Sequence, residues 1–332
     1  MENFQFIEYH RKRDFSKKVN ATFEYIKQNF KSLFKSILFI AGPPMLIGSL
    51  LIGSFMGDFM NMFQQMATDP VAMQEKMTSM SFWGQFVLMM ICITVALVIS
   101  LSTINNYLLL YEEKKSNVIE VSEVWERVRG TLLMYFGTVL MFLLLLIVFY
   151  LIIVVVVVGL VAASGGGAGA AALSGLLFFV LFLGFFYVTV AISLTFIIRT
   201  YEKKGFFAAV GRSFKLVYGK WWSTFGLVFI LYLVMMIISY IPMIPFYVVF
   251  FINSLHSINS QSIQAPSASM QVWTTLSFVL YYLCQMLLSA LPNVGIAFQY
   301  FNLVELKESR GLMADIETLG KPVETERPEE TF

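Results

Sequence analysis

Residues 130–198 read GTLLMYFGTVLMFLLLLIVFYLIIVVVVVGLVAASGGGAGAAALSGLLFFVLFLGFFYVTVAISLTFII, without one Asp, Glu, Lys, Arg or His. This run is far longer than the roughly 20 apolar residues that one membrane-crossing helix needs. Inside it, Val154–Val158 is apolar on every side, which excludes the alternating strands of an outer-membrane β-barrel. Ser164–Gly169 divides the run, because glycine is a poor helix former. The stretch therefore predicts two membrane helices joined by a short turn.

Three other charge-free runs extend this pattern, over residues 36–57, 77–111 and 221–304. The polar segment Asn253–Met270 divides the last of them. Hydrophobic residues make up 58% of the chain and charged residues 13%, and a soluble domain has about twice that charged share. We therefore predict an all-α membrane protein with six transmembrane helices, near residues 34–57, 82–110, 131–162, 173–198, 223–252 and 272–303.

The basic residues predict the orientation. With six spans, all but Lys76 of the 23 Lys and Arg residues fall on the side that holds both termini. Loops rich in Lys and Arg stay in the cytoplasm, so we expect both termini to be cytoplasmic. The first apolar stretch is a full span after a densely charged segment, so we expect an uncleaved anchor rather than a signal peptide.

A short amphipathic segment precedes each odd-numbered span, near residues 15–33, 117–129 and 206–221. The three segments align without gaps, and their apolar residues recur at helical spacing on one face. Such helices lie in the membrane interface, with basic residues at the headgroups. The expected aromatic anchors are Phe23, Phe30, Trp125, Phe214, Trp221 and Trp222.

Each even-numbered span ends in an acidic and basic stretch, at Tyr111–Lys114, Tyr201–Gly205 and Lys307–Gly311. The pattern predicts three parallel, pseudo-repeated hairpins, each preceded by a cytoplasmic interfacial helix and related by an axis along the membrane normal. The alternative is that the similarity reflects only the aromatic and basic residues common at membrane interfaces.

Three parts follow from these boundaries. Residues 1–14 form a basic N-terminal arm, and residues 15–311 form the six-span domain. Residues 312–332 form an acidic tail whose composition predicts a mostly disordered cytoplasmic segment.

Several of these features together resemble a known family. The hairpins, the interfacial helices, Gly42-Pro43-Pro44 and the closing stretch Asn302–Leu312 are similar to bacterial six-span integral membrane proteins of unassigned function. That group is similar to the membrane domain of some glycerophosphodiester phosphodiesterases. The resemblance implies a multi-pass fold in the bacterial cytoplasmic (inner) membrane. It transfers no catalytic residue, since no phosphodiesterase domain is expected after Gly311.

Residue types that carry chemistry are scarce. The two histidines, His10 and His256, cannot build a metal cluster, and Cys92 and Cys284 both lie in apolar runs. Phosphate-loop and serine-hydrolase motifs are missing from the sequence, and a net charge of +2 carries no nucleic-acid signature. We expect no enzyme activity, cofactor, metal or nucleic-acid partner. Membrane lipids and other membrane proteins are the expected partners.

Prolines and amides inside the spans are the remaining candidates for a site. Each proline removes a backbone donor, and the freed carbonyl needs a partner in hydrocarbon. We hypothesise one shared cavity near spans one, five and six, and the alternative is ordinary kinks with inter-helix amide bonds. The candidate residues are Pro43, Pro44, Asn105, Asn106, Pro242, Pro245, Pro292, Asn293 and Gln299.

Two functions fit this sequence. The first is a non-enzymatic membrane scaffold or accessory protein that organises lipid or partner proteins. The alternative is a passive transporter or lipid-handling protein with a polar path near the proline breaks. A polar-lined cavity between spans one, five and six would favour transport, and a closed apolar bundle would favour the scaffold.

Overall fold

A computed structural model describes residues 4–65, 70–163, 167–260, 268–309 and 313, and every regular element in those ranges is helical. In chain order the α-helices are α1 (Phe15–Ile40), α2 (Gly42–Gln65), α3 (Pro70–Thr78), α4 (Met80–Lys114), α5 (Val121–Ala163), α6 (Ala168–Ala191), α7 (Thr195–Tyr201), α8 (Phe206–Val217), α9 (Trp221–Ser239), α10 (Ile244–Ser260), α11 (Ala268–Leu288) and α12 (Ala290–Glu308). A 3-10 turn, Ile241–Met243, joins α9 to α10.

Among the described residues, five segments are long and apolar enough to cross a membrane. They are Met80–Lys114, Val121–Ala163, Ala172–Tyr201, Trp221–Ile252 and Val272–Glu308. A sixth is formed by α1 with the start of α2, if this pair is one span bent by 66°. The chain is therefore a multi-pass, all-helical membrane protein, as its apolar runs predict.

Prolines begin new helices at three interruptions. Pro43 and Pro44 lie in the first turn of α2 after the break at Ala41, Pro245 opens α10, and Pro292 lies in the first turn of α12 after Ser289. The first turn tolerates proline, because its N–H groups have no intrahelical partner.

Another interruption carries no proline. The fourth predicted span, 173–198, is divided at Ile192–Leu194 into α6 and α7. The hydroxyls of Ser193 and Thr195 bond to carbonyls three residues back, and the Ser213 hydroxyl of α8 donates to the Ala191 carbonyl. These side chains satisfy part of the backbone that the break leaves unpaired.

The three predicted interfacial segments take different forms. The segment 206–221 contains a separate short helix, α8, whereas the segment 15–33 lies in a longer helix, α1, that continues to Ile40. The segment 117–129 is not a separate helix, because α5 runs without interruption from Val121 to Ala163. Residues 128–132 contain no proline, and a single glycine, Gly130, is not enough to interrupt the helix.

The first helix buries a different face from the predicted apolar one. Tyr25, Asn29 and Leu33 are buried together with Lys18, whereas Phe23 and Phe30 are exposed. The aromatic residues Phe23 and Phe30 of the predicted apolar face therefore lie on the outer surface of the protein. The face that packs on the protein contains polar residues, because Asn29 and Lys18 find partners inside the bundle.

The N-terminal arm is part of the packed core. The Ile7 N–H donates to the Tyr111 hydroxyl at 3.1 Å, and the Tyr9 hydroxyl donates to the Leu108 carbonyl at 3.0 Å. The Tyr9 ring stacks on Phe301 with 4.8 Å between the ring centres. Tyr9 therefore joins the ends of α4 and α12.

Burial is uneven across the helices. In α12 nearly every residue from Ala290 to Glu305 is buried, whereas the most apolar window of α5 has no buried residue. Helices α2 and α11 approach closely at Gly53, where an added Cβ would lie 2.9 Å from the Thr275 carbonyl oxygen. Small residues at such crossings let membrane helices pack backbone to backbone.

Candidate functional site

A cavity of about 780 Å³ lies among the membrane helices. Its wall comes from α2, α4, α5, α6, α7, α9, α11 and α12, and it includes both sides of the break at Ser289. Its volume falls within the range of about 300–1,000 Å³ that is typical of small-molecule sites. Most of the wall is aliphatic and aromatic, with Ile52, Ile93, Phe186, Phe225 and Met286 as examples.

The polar part of this wall is neutral. No Asp, Glu, Lys, Arg or His belongs to the lining formed by the described residues. Its hydroxyl and amide side chains, apart from the tyrosines, are Ser49, Ser100, Thr189, Ser193, Gln285, Ser289 and Asn293. The cavity can hold an apolar molecule, and it offers hydrogen bonds to uncharged polar groups.

Most of these hydroxyls donate to their own helix. Ser49 donates to the Leu46 carbonyl, Thr189 to that of Phe185, and Ser289 to that of Met286. Such bonds use the hydroxyl hydrogen and leave oxygen lone pairs as acceptors. Ser100 differs, because its hydroxyl is buried and has no hydrogen-bond partner among the described residues.

The cavity lies deep between the membrane-spanning segments. Ser100 and Asn293 precede the helix ends at Lys114 and Glu308 by 14 and 15 residues. At 1.5 Å per residue, both positions lie about 21–23 Å from those ends. A hydrocarbon core is about 30 Å thick, so these polar groups lie within it if the charged helix ends mark the interface.

Charged residues gather instead at one end of the bundle. Glu202 follows α7 and accepts hydrogen bonds from Arg212 at 3.1 Å and from the Tyr300 hydroxyl at 2.8 Å. Lys204 forms an ion pair with Glu202 at 2.7 Å, and Arg212 also bridges to Glu308 on α12. The network ties α7, α8 and α12 together.

Ionisation follows from these contacts. Burial by itself would raise the pKa of Glu202, but hydrogen bonds from Lys204, Tyr300 and Arg212 and the charge of Arg212 lower this pKa below its ordinary value of 4.5. The hydrogen bond to Glu308 is the main reason that the pKa of Arg212 is raised. Both groups are therefore charged at neutral pH.

Two more polar contacts lie at this end. The Tyr201 hydroxyl donates to Glu112 at 3.2 Å and is 3.0 Å from His10 Nε2. Lys18 Nζ donates to Gln299 Oε1 at 2.7 Å and to Ser223 Oγ at 2.9 Å. These contacts join the N-terminal arm to α7 and α7 to α4, and they join α1 to α9 and α12.

The nine candidate cavity residues lie in several different surroundings. Asn293 is the one that lines the large cavity, and Pro292 is buried next to it. Asn105 borders a small void with Tyr9, and Asn106 bonds to Ser102 and Thr131. Gln299 bonds to Lys18 and Thr224, and none of Pro43, Pro44, Pro242 and Pro245 belongs to the cavity wall. The large cavity is therefore not formed around the proline breaks as a group.

The candidate aromatic anchors are partly or fully open to the surroundings of the protein. Phe23, Phe30, Trp125 and Trp222 are exposed, and Phe214 and Trp221 are half-buried. Trp221 packs on α6, where its ring stacks on Tyr187 and its indole N–H donates to the Tyr187 carbonyl at 3.1 Å. An anchoring role for these residues stays a prediction.

Sequence reasoning missed several residues of the cavity wall. Ser100, Thr189, Ser193 and Gln285 are polar side chains inside predicted spans, which is the available signal. Serine and threonine are common in membrane helices, because they can bond to their own backbone. Their presence therefore does not tell which of them faces a cavity.

Within the described ranges, no group of three or more His, Cys, Asp or Glu residues could hold a metal ion. No protein-family model, curated protein or solved structure matches this chain.

Proposed function

We propose that this chain is a non-enzymatic lipid-handling protein of the bacterial cytoplasmic membrane. The observation that carries the proposal is the cavity of about 780 Å³, which is bordered by all five spanning segments found in the described residues and by α2 of the bent α1–α2 pair. A mostly apolar space of this size, deep in a membrane protein, suits the chains of a lipid. This is the lipid-handling branch of the second function derived from the sequence.

The chemistry of the wall favours lipid over a polar solute. A path for ions or sugars needs a continuous polar lining, whereas this wall offers scattered hydroxyls and amides among aliphatic and aromatic side chains. Among the described residues, the wall contains no Asp, Glu, His or Lys, which are the commonest general acids and bases.

We further propose that both termini are cytoplasmic. The position of all but one of the 23 basic residues supports this orientation. The contacts Arg127–Glu113, Arg212–Glu202 and Arg212–Glu308 gather the charged segments at one end of the bundle, as such a topology requires.

The proposal includes three parallel hairpins with interfacial helices, as in the six-span bacterial group that the sequence resembles. The acidic residues at the first two span exits support it, because Glu112 bonds to Tyr201 and Glu202 bonds to Tyr300, each in another predicted hairpin. Glu308 bonds to Arg212 in the leading helix of its own hairpin. The exposed Phe23 and Phe30 on α1 support an interfacial position for that helix.

Filling the cavity tests the lipid-handling function. Val228→Trp places a large ring at the wall, and Leu133→Trp is the matched control at an exposed site on α5. We expect native mass spectrometry of the purified full chain to detect bound lipid in the wild type and in the Leu133 variant. The Val228 variant should retain clearly less.

Size-exclusion chromatography of both variants checks folding. Equal lipid retention by two well-folded variants would contradict the proposal.

A membrane scaffold is the second candidate, and the uncovered hairpin of α5 and α6 favours it. Leu144, Tyr150, Val155, Phe179 and Phe182 on these helices are exposed. Lipid or a partner protein can cover such a face. A photoreactive residue at position 155 that cross-links to another membrane protein, together with an empty cavity in the lipid assay, would favour the scaffold.

A further inference from the structure

Three polar side chains at the cavity wall keep unused hydrogen-bonding capacity. Ser100 is only 3% exposed, and its buried hydroxyl has no hydrogen-bond partner among the described residues. Gln285 lines the cavity, and its amide makes no hydrogen bond to the described part of the chain. Asn293 donates through Nδ2 to the Ser289 carbonyl at 2.7 Å, which leaves Oδ1 as an acceptor.

Gln285 and Asn293 border the break between α11 and α12, and Ser100 lies on α4 at the same cavity. Gln285 and Asn293 lie four residues before and four residues after Ser289, where the helix is interrupted. Leu288 ends α11, so its carbonyl has no donor within that helix, and Pro292 has no N–H that could bond to it across the break. The segment around the break therefore contributes the amides of Gln285 and Asn293 and the hydroxyl of Ser289 to the cavity wall.

Such groups are costly in hydrocarbon unless they are paired. An unpaired buried amide or hydroxyl lowers the stability of a protein, because it has given up its hydrogen bonds to water. Water has little access within the bilayer, and a bound molecule with its own hydroxyl or carbonyl group can supply the partner. The rest of the wall then contacts the apolar part of that molecule.

Charge narrows the choice of ligand. A carboxylate or phosphate would enter a wall without a described cation, and burial of an unpaired charge is strongly unfavourable. The polar group that fits is therefore neutral.

We propose that Gln285, Ser100 and Asn293 bind the hydroxyl or carbonyl group of an uncharged lipid, such as a long-chain alcohol or a glyceride, whose chain fills the cavity. This proposal rests on the lipid-handling function and adds the class of ligand and the residues that recognise it.

Three photoactivatable probes with the same chain test the proposal on the purified full-length protein. One probe is a long-chain alcohol, one is the corresponding carboxylic acid at neutral pH, and one is the alkane without a polar group. Peptide mapping of the cross-links at α9 and α11 reports cavity occupancy. We expect the alcohol probe to label the cavity more strongly than the acid or the alkane. Loss of one neutral hydrogen bond to the alcohol should weaken its binding about two- to tenfold.

Gln285→Leu and Ser100→Ala should each reduce the preference for the alcohol over the alkane. Gln85→Leu is the matched control for the amide, since Gln85 lies half-buried on α4 outside the cavity wall. Ser36→Ala is the control for the hydroxyl, since Ser36 is buried and bonds to its own helix. If one of the two cavity variants fails to fold, the probe preference of the other variant still tests the proposal.

The outcomes separate the two proposals. Cavity labelling by no probe would contradict the lipid-handling function itself. Equal labelling by alcohol and alkane, or a preference for the acid, would leave that function standing and overturn the neutral-lipid assignment. The same holds if Gln285→Leu and Ser100→Ala both keep the wild-type preference.

Discussion

At the scale of single residues, two buried charges tie the helix ends together by different means. Lys18 is 2% exposed and is held by the neutral acceptors Gln299 and Ser223, without a described ion pair. Glu202 has three partners, two of which are cationic. A buried charge held only by neutral groups depends strongly on each of them.

Lys18→Met and Gln299→Leu should therefore lower the stability of the folded protein by different amounts. Lys18→Met removes a buried charge but leaves the buried Gln299 Oε1 without a donor, so we expect the smaller loss, about 1 kcal/mol. Gln299→Leu leaves the ammonium with one acceptor, and we expect a loss of about 1–3 kcal/mol. Thermal unfolding in detergent measures both, and a larger loss for the lysine variant would show that Lys18 is needed for its charge.

Glu202 predicts a dependence of stability on pH. Its pKa is lower in the folded protein than its ordinary value of 4.5, so its contribution is complete above that value and is lost as the pH falls through the folded pKa. We expect the melting temperature to drop below about pH 4.5 and Glu202→Gln to flatten this drop. An identical pH profile in the Gln variant would contradict the assignment.

At the scale of elements, two features hold the bundle together that hydropathy does not reveal. One is the N-terminal arm, which lies against the ends of α4 and α12 through Tyr9. The other is the close crossing of α2 and α11 at Gly53.

The arm should contribute strongly to stability. Tyr9 is buried, whereas Phe4 in the same arm is 39% exposed. We expect Tyr9→Ala to cost about 3–5 kcal/mol, as for other buried aromatic residues, and Phe4→Ala to cost clearly less. Thermal unfolding of both variants in the same detergent measures the two losses of stability. Equal losses would mean that the arm does not pack as described.

Gly53 and Gly57 offer a matched pair at the α2–α11 crossing. A Cβ at Gly53 would meet the Thr275 carbonyl at 2.9 Å, whereas a Cβ at Gly57 would be 3.8 Å from the Thr275 hydroxyl. We expect Gly53→Ala to lower stability by about 1–3 kcal/mol. Gly57→Ala should be tolerated, and a reversed order of the two melting temperatures would argue against this crossing.

At the scale of the whole molecule, the topology is open to a direct test. After Cys92 and Cys284 are replaced, single cysteines at positions 205 and 74 sample the two proposed sides. An impermeant thiol reagent on intact cells should modify position 74 and leave position 205 unmodified until the cells are opened. Labelling of position 205 in intact cells would overturn the cytoplasmic assignment.

Local sequence was enough to predict the membrane class and several interruptions. Long apolar runs indicate spans because each helix must satisfy its own backbone hydrogen bonds in hydrocarbon. Pro43, Pro245 and Pro292 indicate breaks because proline has no backbone donor. These arguments need only residues that are close together in the chain.

Only the tertiary structure decided the cavity and the buried face of α1. Spans that are apolar on all sides carry no periodicity to tell which residues face a neighbour, a cavity or lipid. Gln285, Ser100 and Asn293 come from three different helices and meet at one cavity through long-range packing. Lys18 is buried for the same reason, since its acceptors lie on α9 and α12, more than 200 residues away in the chain.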